Sequence, residues 1–358
     1  MRAIVLVGGE GTRLRPLTYT TPKPLLPIAN QAFLERQLTW LDRHGIDEVV
    51  LSLGYLPDAF AAWFPDDRFG NLTLRYAVED EPLGTAGGIR YAADVAGIDE
   101  RFVVCNGDVL TTIDLTDMVA FHDAHGAEAT IHLCRVDDPS AFGVVPTRSD
   151  GEVMAFVEKP PPGRVPSHWI NAGTYVLEPS VLNRIPPRLT VSVERETFPR
   201  MLDRRGRLFA LQSDAYWIDI GTPEKYLQVH RDILRGHFPV DLLAERKTEG
   251  WIHPGAHVDR GAHLEGPFFV GPGCRLEAGA RVGPDSTLVA DVVLSAGASV
   301  RDAVLWKGCH LGEGASVEGA LLASHCRVGR SAVVGPGCVL GEKTELPEFS
   351  RCTPWGPG

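Results

Sequence analysis

Lysine is the charged residue that this sequence uses least. The 358 residues include only six lysines, and 35 Lys and Arg face 46 Asp and Glu, for a formal net charge of −11. A chain this acidic repels the phosphate backbones of DNA and RNA, so we expect no nucleic-acid partner. A small anionic ligand held by a few local cations stays possible, and a motif that contains a lysine is therefore informative.

Long apolar runs and paired cysteines are also missing. The longest early apolar run, residues 3–7, is too short for a membrane span or the core of a signal peptide. The seven cysteines are odd in number and contain no Cys-x-x-Cys pair, which disfavours a disulfide framework and a zinc site. We therefore expect a cytoplasmic protein with no membrane partner, and a buried first strand at residues 3–7.

Residues 1–236 alternate short aliphatic runs with helical patterns, which predicts an α/β fold around a mostly parallel sheet. One predicted helix spans Phe33 to Arg43. Another closes this region, with Thr222 as N-cap, Pro223 in the first turn and Gly236 after the last. The predicted strands are residues 3–7, 48–53, 72–78, 102–105, 129–134, 153–158, 170–177, 208–211 and 216–220.

After a connector at residues 237–250, an aliphatic residue recurs every six positions. The count slips by one residue after Val300 and again after Val317. A small residue follows four positions after most of them, and Cys274, Cys309 and Cys326 are among these small residues. This hexapeptide period predicts a parallel β-helix of roughly five coils. The seventeen aliphatic positions are 252, 258, 264, 270, 276, 282, 288, 294, 300, 305, 311, 317, 322, 328, 334, 340 and 346.

The first predicted strand runs into a glycine-rich loop, Gly8-Gly9-Glu10-Gly11-Thr12-Arg13. Glycines at this place let backbone N–H groups approach a phosphate. The loop is not a Walker loop, because no Gly-Lys-Ser/Thr ends it, and Leu14 replaces the last glycine of the dinucleotide fingerprint. Arg13, Arg15 and Lys23 could surround a triphosphate. The competing interpretation is a tight turn with solvated arginines.

Seven motifs occur in an order that resembles the sugar-1-phosphate nucleotidyltransferases, or nucleotide-sugar pyrophosphorylases, over nearly the whole chain. The segment Glu81–Gly87 and the C-terminal hexapeptides are most similar to the mannose-1-phosphate guanylyltransferase subgroup. The resemblance implies a Rossmann-like, GT-A type catalytic domain with a mixed sheet at residues 1–236, a linker at 237–250, a left-handed β-helix at 251–346 and a tail at 347–358. The motifs are Gly8–Arg13 with Pro22-Lys23-Pro24, Glu79–Gly87, Asn106–Val109, Phe142–Val145, Phe156–Pro160, Asn171–Tyr175 and Trp217–Gly221.

The resemblance implies transfer of a nucleotidyl group from an NTP to a sugar 1-phosphate, which yields an NDP-sugar and pyrophosphate. The nucleophile is a phosphate oxygen, largely dianionic because its second pKa is about 6. Positioning and charge neutralisation are then expected to carry catalysis, without a general base. Mg²⁺ is the implied cofactor, with Asp108 and Asp219 as its carboxylate ligands. Each aspartate alone could also be a strand-end cap or turn residue.

By the same resemblance, Arg13 holds the β- and γ-phosphates, Lys23 bridges the leaving pyrophosphate and the α-phosphate, and Lys159 holds the sugar phosphate. An exposed ion pair is the alternative for Glu158 and Lys159. The predicted catalytic set is Arg13, Lys23, Asp108, Lys159 and Asp219. The predicted nucleotide-binding set is Leu6, Gly8, Gly9, Gly11, Thr12, Arg13, Lys23, Glu79, Gly84 and Thr85. The predicted sugar-phosphate-binding set is Gly143, Glu158, Lys159 and Asn171.

Glu79 carries the prediction of the base. Family members that use a uracil or thymine nucleotide read it with a glutamine at this position, whereas a carboxylate only accepts hydrogen bonds. Guanine offers two adjacent donors, N1–H and the N2 amine, that match a carboxylate. We therefore predict GTP, and mannose 1-phosphate from the subgroup. The alternative is that Glu79 simply faces solvent.

Three other functions stay open at this point. The first is a glucose-1-phosphate uridylyl- or thymidylyltransferase. The second is a regulatory homologue that binds nucleotide sugars without turnover. The third is a β-helix acyltransferase that uses one of the histidines in the repeats, which the short β-helix disfavours. We expect the β-helix to serve assembly or regulation, so that the protein forms a homo-oligomer.

Overall fold

The chain divides into two compact units. The computed structural model describes residues 1–161, 165–203, 206–247 and 249–354. The first unit combines Met1–Glu10 with Leu34–Ile218, and the second combines Gly11–Phe33 with the chain from Asp219 onward. The domain boundaries inferred from composition, at residues 236, 250 and 346, stay predictions.

The helices follow the amphipathic patterns of the sequence. Helix α1 has the predicted bounds, and its apolar residues Phe33, Leu34, Leu38 and Leu41 are fully buried. The cap of α6 is also confirmed, since the Thr222 hydroxyl accepts a hydrogen bond from the Lys225 amide at 3.4 Å. Within the described residues the α-helices are α1 Phe33–Arg43, α2 Pro57–Trp63, α3 Gly84–Ala96, α4 Leu115–His125, α5 Phe198–Asp203 and α6 Pro223–Leu234.

A mixed sheet forms the centre of the first unit, as predicted. Its strands run in the order β11-β10-β12-β7-β1-β4-β6-β5, and β9 pairs with β12 and β13. The four strands β7, β1, β4 and β6 are mutually parallel, whereas β12 is antiparallel to β7 and β9. The strands are β1 Arg2–Leu6, β4 Glu48–Leu53, β5 Arg68–Phe69, β6 Leu72–Val78, β7 Phe102–Asn106, β9 Ala129–Arg135, β10 Gly143–Val144, β11 Val157–Glu158, β12 Trp169–Leu177 and β13 Leu208–Ser213.

Two further pairs of short strands lie outside this sheet. A hairpin in the second unit pairs β2 Pro27–Ile28 with β3 Gln31–Ala32. The short strand β8 Val109–Thr111 pairs with β14 Trp217–Asp219.

One predicted strand is wrong for most of its length. The run at residues 153–158 forms regular strand only at Val157–Glu158, and Val153 makes an isolated bridge to Thr147. The partner strand Gly143–Val144 is followed closely by Pro146, which has no N–H to continue a ladder. The apolar run therefore has no long partner to pair with.

Parallel strands make up the C-terminal part of the second unit, as the hexapeptide period predicts, except that the first strand, at Glu245–Lys247, is antiparallel to the next. Three sheets, which we call faces E, F and G, run along its length. Face E has β15 Glu245–Lys247, β16 Gly250–Ile252, β19 Phe268–Val270, β22 Ser286–Leu288, β25 Val304–Leu305, β28 Leu321–Leu322 and β31 Val339–Leu340. Face F has β17 His257–Val258, β20 Arg275–Leu276, β23 Val293–Leu294, β26 His310–Leu311, β29 Arg327–Val328 and β32 Glu345–Leu346. Face G has β18 His263–Leu264, β21 Arg281–Val282, β24 Ser299–Arg301, β27 Ser316–Glu318, β30 Val333–Val334 and β33 Arg351–Cys352.

Strand pairing explains the two slips of the repeat. Along face E, paired residues lie 18, 18, 17, 17 and 18 positions apart. The two shorter coils lose their residue between Val300 and Leu305 and between Val317 and Leu322, at the same corner between faces G and E. The aliphatic residues therefore stay in register despite the slips.

All seventeen aliphatic positions contribute to one core inside the β-helix. The buried thiols of Cys274, Cys309, Cys326 and Cys338 lie in the same core. Parallel pairing continues to Cys352, one hexapeptide beyond Leu346. Each described strand of a face pairs with its neighbours along the axis, so the stack itself supplies the backbone hydrogen bonds that an isolated two-residue strand lacks.

His132 is a polar exception in the core of the first unit. It lies in β9, is fully buried, and neither ring nitrogen has a hydrogen-bond partner. Burial disfavours the charged imidazolium and lowers the pKa of His132 to about 4, from the usual 6.5. As the pH falls, the unfolded chain therefore binds a proton at His132 at a higher pH than the folded chain does.

We predict that His132→Leu flattens the loss of stability in acid. In the wild type this histidine lowers the free energy of unfolding by up to about 1.4 kcal/mol for each pH unit below about 6.5, and the effect levels off near pH 4. Urea denaturation at several pH values between 7.5 and 4.5 measures the slope. The exposed His257→Gln is the control and should keep the wild-type slope. An unchanged slope in His132→Leu would contradict the assignment.

Candidate active site

The first unit brings several predicted site residues to one edge of its sheet. Strands β7, β1, β4 and β6 are adjacent and parallel, so their carboxyl ends share an edge. Asp108 follows β7, Gly8 and Gly9 follow β1 at Leu6, and Glu79 follows β6. The carboxyl edge of such a sheet is where open α/β folds bind ligands.

Close backbone contacts hold these strand ends together. A Cβ at Gly107 would lie 2.3 Å from Val7 Cγ1 and 2.6 Å from the Leu6 carbonyl oxygen, and the Gly107 amide donates to that carbonyl at 2.8 Å. Gly8 faces Gly54 in a similar way, and a Cβ at Gly54 would lie 3.1 Å from the Gly8 carbonyl. The glycine preceding Asp108 therefore seats the loop after β7 on the end of β1.

Glu79 does not simply face solvent, so that alternative is wrong. The residue is half-buried; the Ser52 hydroxyl donates to Oε1 at 2.8 Å and the Leu83 amide donates to Oε2 at 2.9 Å. A Cβ at Gly88 would approach Oε1 to 2.7 Å, so the helical glycine makes room for the carboxylate. Glu79 thus ties the end of β6 to β4 and to the start of α3.

Helix α3 begins against a segment that the sequence did not point to. Gly84 has a positive φ of 69°, and a Cβ there would lie 2.7 Å from the Val191 carbonyl. The Thr85 hydroxyl donates to Glu194 at 2.9 Å and accepts from the Val193 amide at 2.8 Å. Thr85 therefore supports the loop from behind, and its contact with a nucleotide stays a prediction.

The predicted sugar-phosphate residues are neighbours in the first unit. Strand pairing sets Gly143 opposite Glu158, and Val144 opposite Ile170 of β12. The exposed Lys159 has a positive φ of 47°, and its amide donates to the Phe142 carbonyl at 3.0 Å. The side chain of Glu158 lies outside the described part of the structure.

Asn171 shapes a bulge in β12. Its Nδ2 donates to the Tyr175 hydroxyl at 2.8 Å, and its Oδ1 accepts from the Gly173 amide at 3.0 Å. The register of β12 with β9 shifts between Asn171 and Tyr175. A Cβ at Gly173 would lie 2.5 Å from Asn106 Nδ2. The bulge thus lets the chain pass close to the end of β7.

The second unit contains the other half of the glycine-rich loop. Gly11 has a positive φ of 63°, and a Cβ there would lie 3.2 Å from Lys23 Cβ and 3.0 Å from Thr18 Cγ2. The Thr18 hydroxyl donates to the Gly11 carbonyl at 2.8 Å. Lys23 opens a short 3₁₀ helix and is buried, whereas Thr12 and Arg13 are exposed. The structure brings the loop and the Pro-Lys-Pro motif together.

Arg13 and Asp219 meet at Gly221, within the second unit. A Cβ at Gly221 would lie 2.8 Å from Arg13 Nη2 and 3.3 Å from Asp219 Oδ2. Lys225 Nζ forms an ion pair with Asp219 Oδ1. Lys225 therefore pairs with this carboxylate, and the missing side chain of Gly221 leaves room for the Arg13 guanidinium near it.

Sequence reasoning missed Lys225, Ser52 and the segment at Val191. Lys225 carried a signal, since it is one of six lysines and lies in the first turn of the helix that Thr222 was expected to cap. Ser52 and Val191 carried none, because they meet Glu79 and Gly84 only through tertiary packing.

Two kinds of feature are absent from the described residues. No group of three or more His, Cys, Asp or Glu side chains is arranged to hold a metal ion within the part of the chain that the structure describes. No helix in those ranges has both the length and the apolarity needed to cross a bilayer.

Comparison with known proteins gives two family models. The Nucleotidyl transferase model matches residues 2–236. A second model, the GMPPB C-terminal domain, matches residues 264–349.

Similar proteins carry consistent names. A mannose-1-phosphate guanylyltransferase of Mycobacterium tuberculosis is 43% identical over 294 residues, 81% of this chain and 80% of that protein. A probable mannose-1-phosphate guanylyltransferase 2 of Oryza sativa subsp. japonica is 38% identical, over 87% and 82%. The crystal structure of HddC from Yersinia pseudotuberculosis is 31% identical with a TM-score of 0.55, over 64% of this chain and 97% of that one. This chain therefore belongs to the nucleotidyl transferase family.

Proposed function

We propose that this protein transfers the guanylyl group of GTP to mannose 1-phosphate, giving GDP-mannose and pyrophosphate. The observation that carries the proposal is the carboxyl edge of β7, β1, β4 and β6, where glycine-shaped loops present Asp108, Gly8 and Glu79. The names of the relatives, mannose-1-phosphate guanylyltransferases from a bacterium and a plant, support the same choice of substrates.

In the proposed reaction an oxygen of the sugar phosphate attacks the α-phosphorus of GTP in line with the leaving group. The new bond joins that oxygen to the α-phosphorus, and the bond from the α-phosphorus to the bridging oxygen breaks to release pyrophosphate. The nucleophile is already ionised at neutral pH, so no side chain has to remove a proton. The protein acts by holding charges in place.

Cations from the glycine-rich loop and the Pro-Lys-Pro motif are proposed to bind the triphosphate. Lys23 is buried behind Gly11, and its positive charge is proposed to bind a phosphate that enters the loop. Exposed Arg13 extends towards Gly221 and would bind the β- and γ-phosphates. These charges stabilise the leaving pyrophosphate as negative charge moves onto it.

The residues fit Mg²⁺. Asp108 and Asp219 are proposed to supply hard carboxylate oxygens, and Mg²⁺ usually takes one or two such ligands together with phosphate oxygens and water. The Asp219 side chain is 17% exposed, and Lys225 Nζ pairs with its Oδ1. When bound, the ion would neutralise phosphate charge. Lys225 would hold Asp219 in place before the ion arrives.

For the sugar phosphate, we propose Lys159 as the charge partner and Gly143, Glu158 and Asn171 as contacts to hydroxyls. The pairing of β10 with β11 and β12 supports this grouping. Lys159 is exposed, as an entry position for a dianionic substrate requires. Asn171 retains one amide N–H and one oxygen lone pair beyond its two bonds within the bulge.

Glu79 is proposed to select the base. Its two oxygens accept one hydrogen bond each from the protein, from Ser52 and Leu83. A carboxylate has about four lone-pair positions, so two stay available for guanine N1–H and the N2 amine. A second crystal structure of HddC, complexed with GMP-PN, shows that a solved relative of this chain binds that ligand.

Homo-oligomer formation through the β-helix and a cytoplasmic location stay predictions.

We predict a clear preference in a matrix of nucleotides and sugars. GTP with mannose 1-phosphate should release pyrophosphate at least about tenfold faster, in kcat/KM, than UTP, dTTP or ATP with mannose or glucose 1-phosphate. Coupled pyrophosphate assays measure each pair. Preference for UTP or dTTP would favour the glucose-1-phosphate alternative. Binding of a nucleotide sugar with no turnover of any pair would favour the regulatory homologue.

We predict that Glu79→Gln weakens GTP use and relaxes base choice. The amide can keep the bonds to Leu83 and Ser52, since the serine hydroxyl can rotate to accept, so the loop should hold. The GTP-to-UTP ratio of kcat/KM should fall by roughly 10- to 100-fold, because an amide N–H then faces a guanine donor. The exposed Glu81→Gln removes the same charge nearby and should leave the ratio unchanged. Equal ratios in the two variants would exclude the role of Glu79.

We predict that Asp108→Asn and Asp219→Asn each lower turnover by at least about 100-fold at a Mg²⁺ concentration that saturates the wild type. Both variants should keep the wild-type circular dichroism spectrum. The exposed Glu224→Gln removes a carboxylate five residues from Asp219 and serves as control. Near-normal rates in both aspartate variants would remove the metal assignment.

A further inference from the structure

A buried chain of hydrogen bonds runs through the second unit. The indole Nε1–H of Trp306 donates to the Tyr226 hydroxyl at 3.0 Å, and that hydroxyl donates to the Pro27 carbonyl. Tyr226 is fully buried and Trp306 is 4% exposed. The chain therefore links three segments far apart in sequence: the β-helix, helix α6 and the segment that carries Lys23.

The two outer residues of this hydrogen-bonded series, Trp306 and Pro27, lie in different kinds of structure. Trp306 follows strand β25 of the β-helix, and its amide donates to the Leu322 carbonyl of the next coil at 2.9 Å. It is thus part of a repetitive, fully paired stack. Pro27 ends the short stretch that begins at Lys23, and the two are joined by the 3₁₀ turn in which the Leu26 amide donates to the Lys23 carbonyl at 3.2 Å.

The stretch between Lys23 and Pro27 has little freedom to absorb a shift. Prolines at positions 22, 24 and 27 restrict φ, and Lys23, Leu25 and Leu26 are buried. We therefore expect a displacement at the Pro27 carbonyl to move the Lys23 backbone as well.

Helix α6 is held against face E and against the corner between faces G and E, where Asp285 and Asp302 lie. Arg231 forms two bonds of 2.7 Å to Asp302, and Arg235 forms bonds of 3.0 and 2.6 Å to Asp285. His230 contacts the Thr287 hydroxyl at 3.2 Å. Such bidentate pairs fix orientation as well as distance. The position of Tyr226 is consequently defined by the β-helix.

The outward residues of face E show the same packing. Phe269, Thr287, Val304 and Leu321 point away from the β-helix core and are nevertheless fully buried. Outward positions on face F include exposed His257, Arg275 and Arg327. Face E is therefore covered by other parts of the chain, whereas outward residues of face F are exposed. Helix α6 is one of the elements in contact with face E.

We propose that Trp306 and Tyr226 are positioning residues for the nucleotidyl transfer, which set the place of Lys23 through the Pro27 carbonyl. The β-helix then contributes to catalysis by the same polypeptide of which it is a part. The inference rests on the proposed role of Lys23 at the phosphates. Burial raises the pKa of Tyr226 well above 10, so the hydroxyl keeps the proton that it donates to Pro27.

The competing explanation is that these bonds only stabilise the packing of α6 on the β-helix. Tyr226→Phe and Thr287→Val separate the two. Each removes one buried hydroxyl from the contact between the same helix and the same face and keeps the side-chain shape. Of the two hydroxyls, only that of Tyr226 donates a hydrogen bond to the Pro27 carbonyl.

The first experiment compares steady-state rates of GTP with mannose 1-phosphate in Tyr226→Phe, Trp306→Phe and Thr287→Val. We expect kcat to fall about 5- to 20-fold in Tyr226→Phe and less in Trp306→Phe, which keeps the bond to Pro27. The KM for mannose 1-phosphate should stay within about twofold, because Lys159 and its neighbours are unchanged. Thr287→Val should keep the wild-type kcat. The double variant Tyr226→Phe/Trp306→Phe should be no slower than Tyr226→Phe alone, because both residues act along one chain.

The second experiment is hydrogen exchange of the peptide at residues 23–33, which needs no turnover. Tyr226→Phe should speed exchange of the Leu25, Leu26 and Phe33 amides at least about threefold relative to both the wild type and Thr287→Val. These amides report the turn through their bonds to Pro22, Lys23 and Leu26.

The outcomes are decisive. Wild-type kcat in Tyr226→Phe, or equal losses in Tyr226→Phe and Thr287→Val, overturns the proposal. A lower kcat in Tyr226→Phe than in the active wild type, together with faster exchange of the turn amides in that variant, supports the proposal. If the wild type turns over no nucleotide and sugar phosphate pair, the proposed function has failed. In that event unchanged exchange also rejects the link from Tyr226 to the Lys23 turn, whereas faster exchange retains the link alone.

Discussion

The contact on which the first unit depends is the one between the loop after β7 and the end of β1. Gly107 lies where any side chain would meet Val7 Cγ1 at 2.3 Å, and its amide bonds to the Leu6 carbonyl. Residues before and after it inherit this constraint: Asn106 packs at Gly173 in the bulge of β12, and Asp108 leaves the strand at the carboxyl edge. Glycine at this position is required by space, since its φ is not in the left-handed region. The close packing of these backbone segments thus supports the carboxyl edge of the sheet, where Asp108 lies.

Much of this architecture could be predicted from sequence because its causes are local. The helix at Phe33–Arg43 follows from an apolar stripe, and the cap at Thr222 from a side chain that reaches its own helix. The β-helix follows from a period of six, and even its two slips correspond to one shortened corner. The prediction of a strand at residues 153–158 was wrong for most of its length because the partner strand ends near Pro146, which the local pattern of residues 153–158 does not show.

What could not be predicted depends on contacts between distant segments. The role of Glu79 within the fold needs Ser52, and the opening of α3 needs the Val191 carbonyl. The grouping of residues 11–33 with the β-helix is likewise a tertiary fact, carried by partners such as Tyr226 and Trp306. Motif order identifies which residues matter, but only packing shows that Glu79 and Thr85 also hold their own loops in place.

The scarcity of lysine can now be explained by location. Lys247, Lys307 and Lys343, on the β-helix side of the second unit, are exposed and pair with neighbouring carboxylates, an arrangement that contributes little to stability. The other three are Lys23 behind Gly11, Lys159 after β11 and Lys225 on Asp219. At physiological ionic strength a charge is screened over about 8 Å, so the distant acidic surface weighs little on a phosphate within a few ångströms of a lysine. A net charge of −11 and a highly anionic nucleotide substrate are therefore compatible, since the local cations decide binding.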